Sequence, residues 1–218
     1  MPDFYDLNGF PQDPLSERLG WTRVVKPAVV SSKNVQQDVR KVRKDAEVII
    51  VSGDDRINRL ASDCWEVDII GSPEMHDGND FMHQANSGID YVIARACAER
   101  GIAIELNFSN ILNSYGRRRA RIMARMAQNV RICRDKRCDV VITSGAKGKH
   151  GLRAPRDLMA FGILLGMTPE EAKAAVSENP RKILKRSDDR NNPDIILKGL
   201  EVKKWGFERK QKRLYRWY

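Results

Sequence analysis

The sequence predicts an α/β protein: a compact TIM-like (β/α) barrel of seven or eight strands over residues 1–197, followed by a basic, aromatic C-terminal tail at 198–218. Three observations predict it. Short apolar runs alternate with helical patterns, as parallel strands and their crossover helices do. No G-x-G-x-x-G fingerprint follows the first run, which favours a barrel over a doubly wound dinucleotide-binding sheet. Polar residues close the apolar runs (Asn8, Lys26, 52–54, 71–73, Arg95, Asn107 and Ser144), and a barrel gathers its function where its strands finish. At 218 residues, 41% apolar and 31% charged, the chain is long enough to bury a full core.

The elements follow in order. FYDL at 4–7 is the first strand, TRVV at 22–25 the second, VIIV at 48–51 the third and VDII at 67–70 the fourth. YVIA at 91–94, IAIEL at 102–106 and VVIT at 140–143 complete seven. Helical patterns lie between them at 14–19, 34–44, 55–63, 80–86, 94–100, 115–137 and 155–165. Thr168-Pro-Glu-Glu then gives an N-cap and an acidic first turn for a helix over 169–177, and Asn179-Pro180 opens another through about residue 185.

The most informative stretch is DVVITSGAKGKHGLRAPRDLMAFGILLG at 139–166. Val140, Val141 and Ile142 are β-branched with no polar interruption, as in a parallel strand covered on both faces. The strand stops at Thr143 and Ser144. A basic loop follows, with Lys147, Lys149, Arg153 and Arg156 interleaved with Gly145, Gly148 and Gly151, and Pro155 suits the first turn of the next helix. Cations on a glycine-punctuated loop before a helix suit a phosphate ligand.

The net charge is +10, and it is segregated. Residues 117–138 carry nine basic side chains against one acidic, and 198–218 carry eight against two. Two basic surfaces on an otherwise slightly acidic domain point to a polyanionic partner. In the long helix, Ile122, Met126 and Val130 form one row and Met123 and Ala127 the next, while Arg117, Arg121, Arg125 and Gln128 fall on the opposite, outer side. Such a face is either simply solvated or, having almost no acid to pair with its guanidinium groups, a phosphate-binding one. Arg119 points with the apolar stripe toward the strand-end mouth. The tail interleaves Arg209, Lys210, Lys212 and Arg213 with aromatics that either stack on unpaired bases or dock on the domain.

Other chemistry has little support. Cys64, Cys97, Cys133 and Cys138 lack zinc half-site spacing and read as reduced core thiols. His76, His83 and His150 belong to no metal or nucleophile motif and read as surface residues. Asp6, Asp54 and Glu105 at strand ends are either magnesium ligands or caps and arginine partners. No apolar run approaches the roughly 20 residues of a membrane span, and the first residues lack a secretory pattern, so a cytoplasmic protein without a membrane partner is expected.

FYDLN at 4–8, IELNFSNIL within 102–112, ITSGA at 142–146 and LRAPRDLMAFGILLGM at 152–167 resemble the archaeal ribonuclease P protein component 3 family. That family is similar to the polymerase and histidinol phosphatase (PHP) phosphoesterases, a barrel group that opens with D-L-H-x-H. Here the same place reads Asp6-Leu7-Asn8-Gly9-Phe10, with Asn8 and Phe10 where the metal-binding imidazoles stand. The resemblance therefore implies a protein subunit of ribonuclease P that holds no catalytic residue, metal or cofactor of its own. The RNA removes the 5′ leader of precursor tRNA, with magnesium on the RNA. Implied partners are the ribonuclease P RNA, precursor tRNA, protein component 2 in a heterotetramer of two copies each, and the other ribonuclease P proteins.

Lys147, Lys149, Arg153 and Arg156 of the loop, Arg117, Arg118, Arg119 and Arg121 of the long helix, and Arg209, Lys210, Lys212 and Arg213 of the tail are the expected RNA contacts. Asn8, Arg95, Asn107 and Ser144 would line the strand-end mouth and orient those cations, and Asp157 would pair with a nearby arginine. The alternatives are a PHP-type metal-dependent phosphoesterase using carboxylate ligands, and an assembly module whose basic helix meets an acidic protein.

Overall fold

Strands that are apolar at every position leave no face for water and need cover on both sides. The computed structural model, which describes residues 3–11, 14–192, 194–197 and 200–203, shows how that cover is provided. β1 (Tyr5–Asp6) and β2 (Arg23–Val24) form a parallel pair. β3 (Ala28–Val30), β4 (Ile49–Val51), β5 (Ile69–Ile70), β6 (Ala103–Asn107) and β7 (Val140–Thr143) form a parallel five-stranded sheet in that order. A short antiparallel pair, β8 (Ile195–Leu197) and β9 (Leu200–Glu201), lies near the end of the described chain.

Side chains alternate along each strand, so each strand feeds two cores. Ile49, Val51, Ile70, Ile104, Leu106 and Ile142 join the helices in the larger apolar cluster. Ile50, Ile69, Ala103 and Val141 point the other way and meet Leu7, Val25 and Val48 in a second cluster. Residues beside both sheets thus share one interior, although their hydrogen-bonded ladders are separate. Ile183 and Leu184 complete that interior.

The helices are α1 (Leu15–Leu19), α2 (Val35–Val42), α3 (Asp55–Ser62), α4 (Tyr91–Arg100), α5 (Phe108–Leu112), α6 (Gly116–Lys136), α7 (Pro155–Leu164), α8 (Pro169–Ala174) and α9 (Glu178–Asn191). Some of their starts are marked by a capping side chain. Asp54 accepts from Ile57 N at 2.9 Å to cap α3, and Asp90 accepts from Ile93 N at 2.7 Å to cap α4. Thr168 and Glu171 form the reciprocal capping box of α8.

Several elements differ from the sequence-based expectation, and α5, β8 and β9 are additional to it. Residues 91–94 are the first turn of α4 rather than a strand: Asp90 caps them, Ile93 and Ala94 are buried, and Tyr91 and Val92 are 53% and 61% exposed. Residues 80–86 are irregular, because the Asp80 carboxylate is taken by Asn86 N at 3.0 Å and by Arg125, which offers the backbone an alternative to a helix. β3 is an additional strand, short and preceded by Pro27. α9 runs past 185 because ion pairs extend it: Asp68, fully buried at the start of β5, accepts from Arg43 at 2.9 Å, Arg186 at 3.0 Å and Arg190. Arg186 and Arg190 are one helical turn apart, and Ser187 Oγ between them donates to Glu47 O at 2.6 Å.

All four cysteines are free and buried. Among the described residues no helix is long and apolar enough to cross a membrane.

Candidate nucleic-acid interface

Parallel strands bring their C-terminal ends to one edge, and the polar residues found there bond to one another. Glu105 and Thr143 continue the interior-facing side of Ala103 and Val141. Glu105 Oε1 accepts from Asn8 Nδ2 at 2.6 Å, Thr143 Oγ1 at 2.6 Å and, weakly, Asn107 Nδ2 at 3.5 Å, while Oε2 accepts from Ser72 Oγ at 3.3 Å. Asp6 accepts from the Ser144 hydroxyl, and from Asn8 N at 3.1 Å. Asn110 Nδ2 bridges Ser72 Oγ at 3.0 Å and Glu74 Oε1 at 2.9 Å.

Burial governs the charge of these three carboxyls. It pushes Asp6 up from 3.8 to about 6, against the opposing hydrogen bonds from Ser144 and Asn8. Burial also raises Glu105, opposed by Thr143, Asn8, Ser72 and Asn107. Glu74 is pushed up from 4.5 to about 8, and its Oε2 is buried without a hydrogen-bond partner among the described residues. Desolvation thus disfavours the anionic forms at this end of the sheet.

The donor set does not fit a resident metal. Among the described residues no group of three or more His, Cys, Asp or Glu side chains is placed to hold one. Asp54 caps α3, Asp6 and Glu105 accept inward from hydroxyls and amides, and the Asn8 amide donates to Glu105. His76 is taken up in its own loop, with Nδ1 accepting from Gly78 N and Nε2 facing Asn86 O, each at 3.0 Å. Ser144 is buried and committed to Asp6, which makes it a strut between strands.

The structure brings Asn8, Asn107 and Ser144 together in this network. Arg95 is not there. Because residues 91–94 are helical, Arg95 stands on the outer face of α4 and pairs with Glu99 at 2.9 Å. Asp157 is exposed and makes no ion pair among the described residues, contrary to expectation. Asn107 also starts α5 directly from β6, since its Oδ1 accepts from Ser109 N at 3.0 Å and Ser109 Oγ at 2.7 Å. Gly145 makes this possible, because it has φ +60° and a Cβ there would lie 2.0 Å from Asn107 Oδ1.

Cations stand at the same end of the sheet. Lys147, Lys149 and Arg156 are exposed along the loop after β7 and the first turn of α7. Arg153 is half-buried, and its Nη1 donates to His150 O at 3.0 Å and Leu152 O at 2.7 Å. Its guanidinium lies 5.7 Å from the Phe108 ring centroid, and its own carbonyl accepts from Trp21 Nε1 at 2.8 Å. Arg153 therefore shapes the loop that displays the other three.

On α6, Arg117, Arg118 and Arg121 are exposed, and Arg121 approaches Asp80 at 3.5 Å. Arg119 is half-buried and donates to Ser114 O at 2.6 Å. Arg125 corrects the expected outer face. Its side chain is only 3% exposed, and it donates to Asp80 at 2.8 Å and to the carbonyls of Glu74, His76 and Gly78 at 3.1, 3.0 and 2.6 Å. It holds the segment that follows β5. Arg209, Lys210, Lys212 and Arg213 lie outside the described residues.

Sequence reasoning missed Glu74, Asn110 and Thr143, and placed Arg125 on the outer face. Thr143 was identifiable as the last residue of its strand. Arg125 lies one position from Met126 and three from Ile122, within the width of an ordinary buried stripe. Glu74 and Asn110 had no local signal, because their roles depend on partners 36 positions apart.

The arrangement turns carboxyls inward and displays guanidinium and ammonium groups outward, which suits the backbone of a polyanion. The profile of a family described as RNase P subunit p30 matches residues 20–192. A protein named Ribonuclease P protein component 3 from Methanosarcina mazei is 33% identical over 165 residues, covering 75% of this chain and 65% of its own length, just under two thirds. Proteins of the same name from Methanocaldococcus jannaschii and Methanothermobacter thermautotrophicus are 33% and 28% identical, covering 82% and 90% of this chain and 73% and 77% of theirs. Among solved structures, a chain in the cryo-EM structure of archaeal Ribonuclease P with mature tRNA has a TM-score of 0.65 at 30% identity, covering 85% of this chain and 80% of that one.

Proposed function

The chain belongs to the RNase P subunit p30 family, and on that basis we propose that it is a protein subunit of ribonuclease P that binds the catalytic RNA and supports removal of the 5′ leader from precursor tRNA. Lys147, Lys149 and Arg156 from the loop and Arg117, Arg118 and Arg121 from α6 neutralise backbone phosphates. Arg119 and Arg153 brace those two segments, and Arg209, Lys210, Lys212 and Arg213 of the 198–218 tail extend the same cationic surface. The bond cleavage and its magnesium reside on the RNA, and this chain supplies no catalytic group.

The observation that carries the reading is the division of charge at the strand ends. Asp6, Glu74 and Glu105 are buried and face inward, while six exposed cations belong to the two segments that leave that same edge. The shared interior of the two parallel sheets supports a (β/α) barrel over 1–197. Family membership supports the further partners: protein component 2 in a heterotetramer, and the remaining ribonuclease P proteins, in the cytoplasm.

Reconstitution tests this directly. The chain is added with the other ribonuclease P proteins to the cognate RNA, and leader removal is followed at low magnesium. Leader removal falls when this chain is omitted and returns when it is restored; equal activity without it overturns the proposal. A metal-dependent phosphoesterase would instead hydrolyse a generic phosphodiester in manganese without RNA, and no such turnover is expected.

A further inference from the structure

An aromatic side chain left in water beside a run of arginines needs an explanation that core packing does not supply. Tyr115 is 77% exposed. It stands between α5 and α6 with its side chain making no cap bond to the helix, so nothing in helix formation requires an aromatic there.

The ring is nonetheless held. The Arg119 guanidinium lies 5.1 Å from its centroid, within the range of a cation–π contact. Arg119 is fixed in turn, because its Nε donates to Ser114 O at 2.6 Å and Ser114 Oγ donates to Asn110 O at 2.6 Å. Asn110 belongs to the buried network of Ser72 and Glu74. One face of the ring is thus braced from the strand ends, and the rest is open to solvent. Its neighbours Arg117 and Arg118 are exposed, and no acidic residue occurs between Glu105 and Asp135.

From this juxtaposition we propose that Tyr115 is a stacking platform for one unpaired nucleobase of the RNA, with Arg117 and Arg118 holding the phosphates that flank it. The inference rests on the RNA-binding reading above and deepens it, since phosphate contacts alone would favour single and double strands by charge only. A π face accepts any base, so the site selects an unstacked nucleotide rather than a sequence. The guanidinium behind the ring limits its rotation before binding, which reduces the ordering cost of the complex.

The test uses the full chain and two probes of equal length and charge, an oligouridylate and an abasic oligomer, each titrated at several salt concentrations. Wild-type protein should bind the oligouridylate about tenfold more tightly than the abasic strand. Tyr115→Ala should remove most of that preference with the salt slope unchanged, and Tyr115→Phe should retain it. The double change Arg117→Ala and Arg118→Ala should instead weaken both probes and lower the slope. A preference that survives Tyr115→Ala overturns the inference while leaving RNA binding intact. If Tyr115→Ala weakens only association with the other protein subunits, the ring belongs to a protein contact and the inference falls. Failure to bind either oligomer or the ribonuclease P RNA would remove the RNA-binding reading as well.

Discussion

The Ser144 hydroxyl donates to the Asp6 carboxylate across 138 positions of sequence, tying the first strand to the end of β7. Asp6 is fully buried, and the bond opposes the burial that raises its carboxyl to about 6. Ser144→Ala should therefore push that carboxyl higher still and cost about 1–3 kcal/mol, because a buried acceptor loses its donor. The loss should be larger at pH 8, where Asp6 is ionised, than at pH 5. Urea denaturation of the variant and wild type at both pH values measures the difference.

Glu74 sets a second pH dependence. Its carboxyl is raised from 4.5 to about 8, so the folded chain holds a proton that the unfolded chain releases. The resulting stabilisation is fully present below pH 4.5 and is lost as the pH rises through about 8. Between pH 5 and 8 this one group should lower stability by about 3 kcal/mol as the pH increases. Glu74→Gln keeps the shape without the titrating proton and should flatten that slope. Thermal or urea melts across the range decide it, and an equally steep slope in the variant would rule Glu74 out as its source.

These two carboxyls also show where the sequence is readable. The strand at 140–143 is plain because three β-branched residues in a row admit few alternatives, and the stripe through Ile122, Met126 and Val130 fixes the buried side of α6. YVIA at 91–94 fits a strand or a helix equally well, and Asp90 as a cap decides it. β3 is hidden by its length and by an exposed Val29. Arg125 is misplaced because a charge is ordinarily read as solvated, whereas three backbone carbonyls and Asp80 compensate its burial. The network joining Asp6, Ser72, Glu105, Asn110 and Ser144 depends on strand order, which periodicity does not contain.

Arg121 and Arg125 sit one turn apart on α6 and should behave oppositely. Arg125→Ala removes a buried cation from Asp80 and three carbonyls, at a cost of about 1–3 kcal/mol. Amide hydrogen exchange should then accelerate in residues 74–80. Arg121 is exposed, so Arg121→Ala should alter stability by no more than about 0.5 kcal/mol. Its effect should appear in RNA binding, as a slope of log affinity against log salt reduced by about 0.7–0.9.

The same separation applies within the loop after β7, where Arg153 and Arg156 are three residues apart. Arg156 is exposed, and Arg156→Ala should lower the salt slope by about 0.7–0.9 with stability unchanged, as should alanine at Lys147 or Lys149. Arg153 has its Nη1 committed to His150 O and Leu152 O and its guanidinium against Phe108. Arg153→Ala should therefore free two carbonyls, loosen the loop and destabilise the fold by about 0.5–1.5 kcal/mol. Its RNA affinity should fall because Lys147, Lys149 and Arg156 lose their common geometry, and Arg153→Lys should not restore it, since an ammonium cannot reproduce the guanidinium's donation to two carbonyls together with its contact to the ring. Equilibrium unfolding and salt-dependent RNA binding of the Arg153 and Arg156 variants distinguish the roles. If Arg153→Ala were as stable as wild type and changed only the slope, Arg153 would be a phosphate contact and the loop would owe its shape to its other contacts, such as the bond from Gly151 N to Gly148 O.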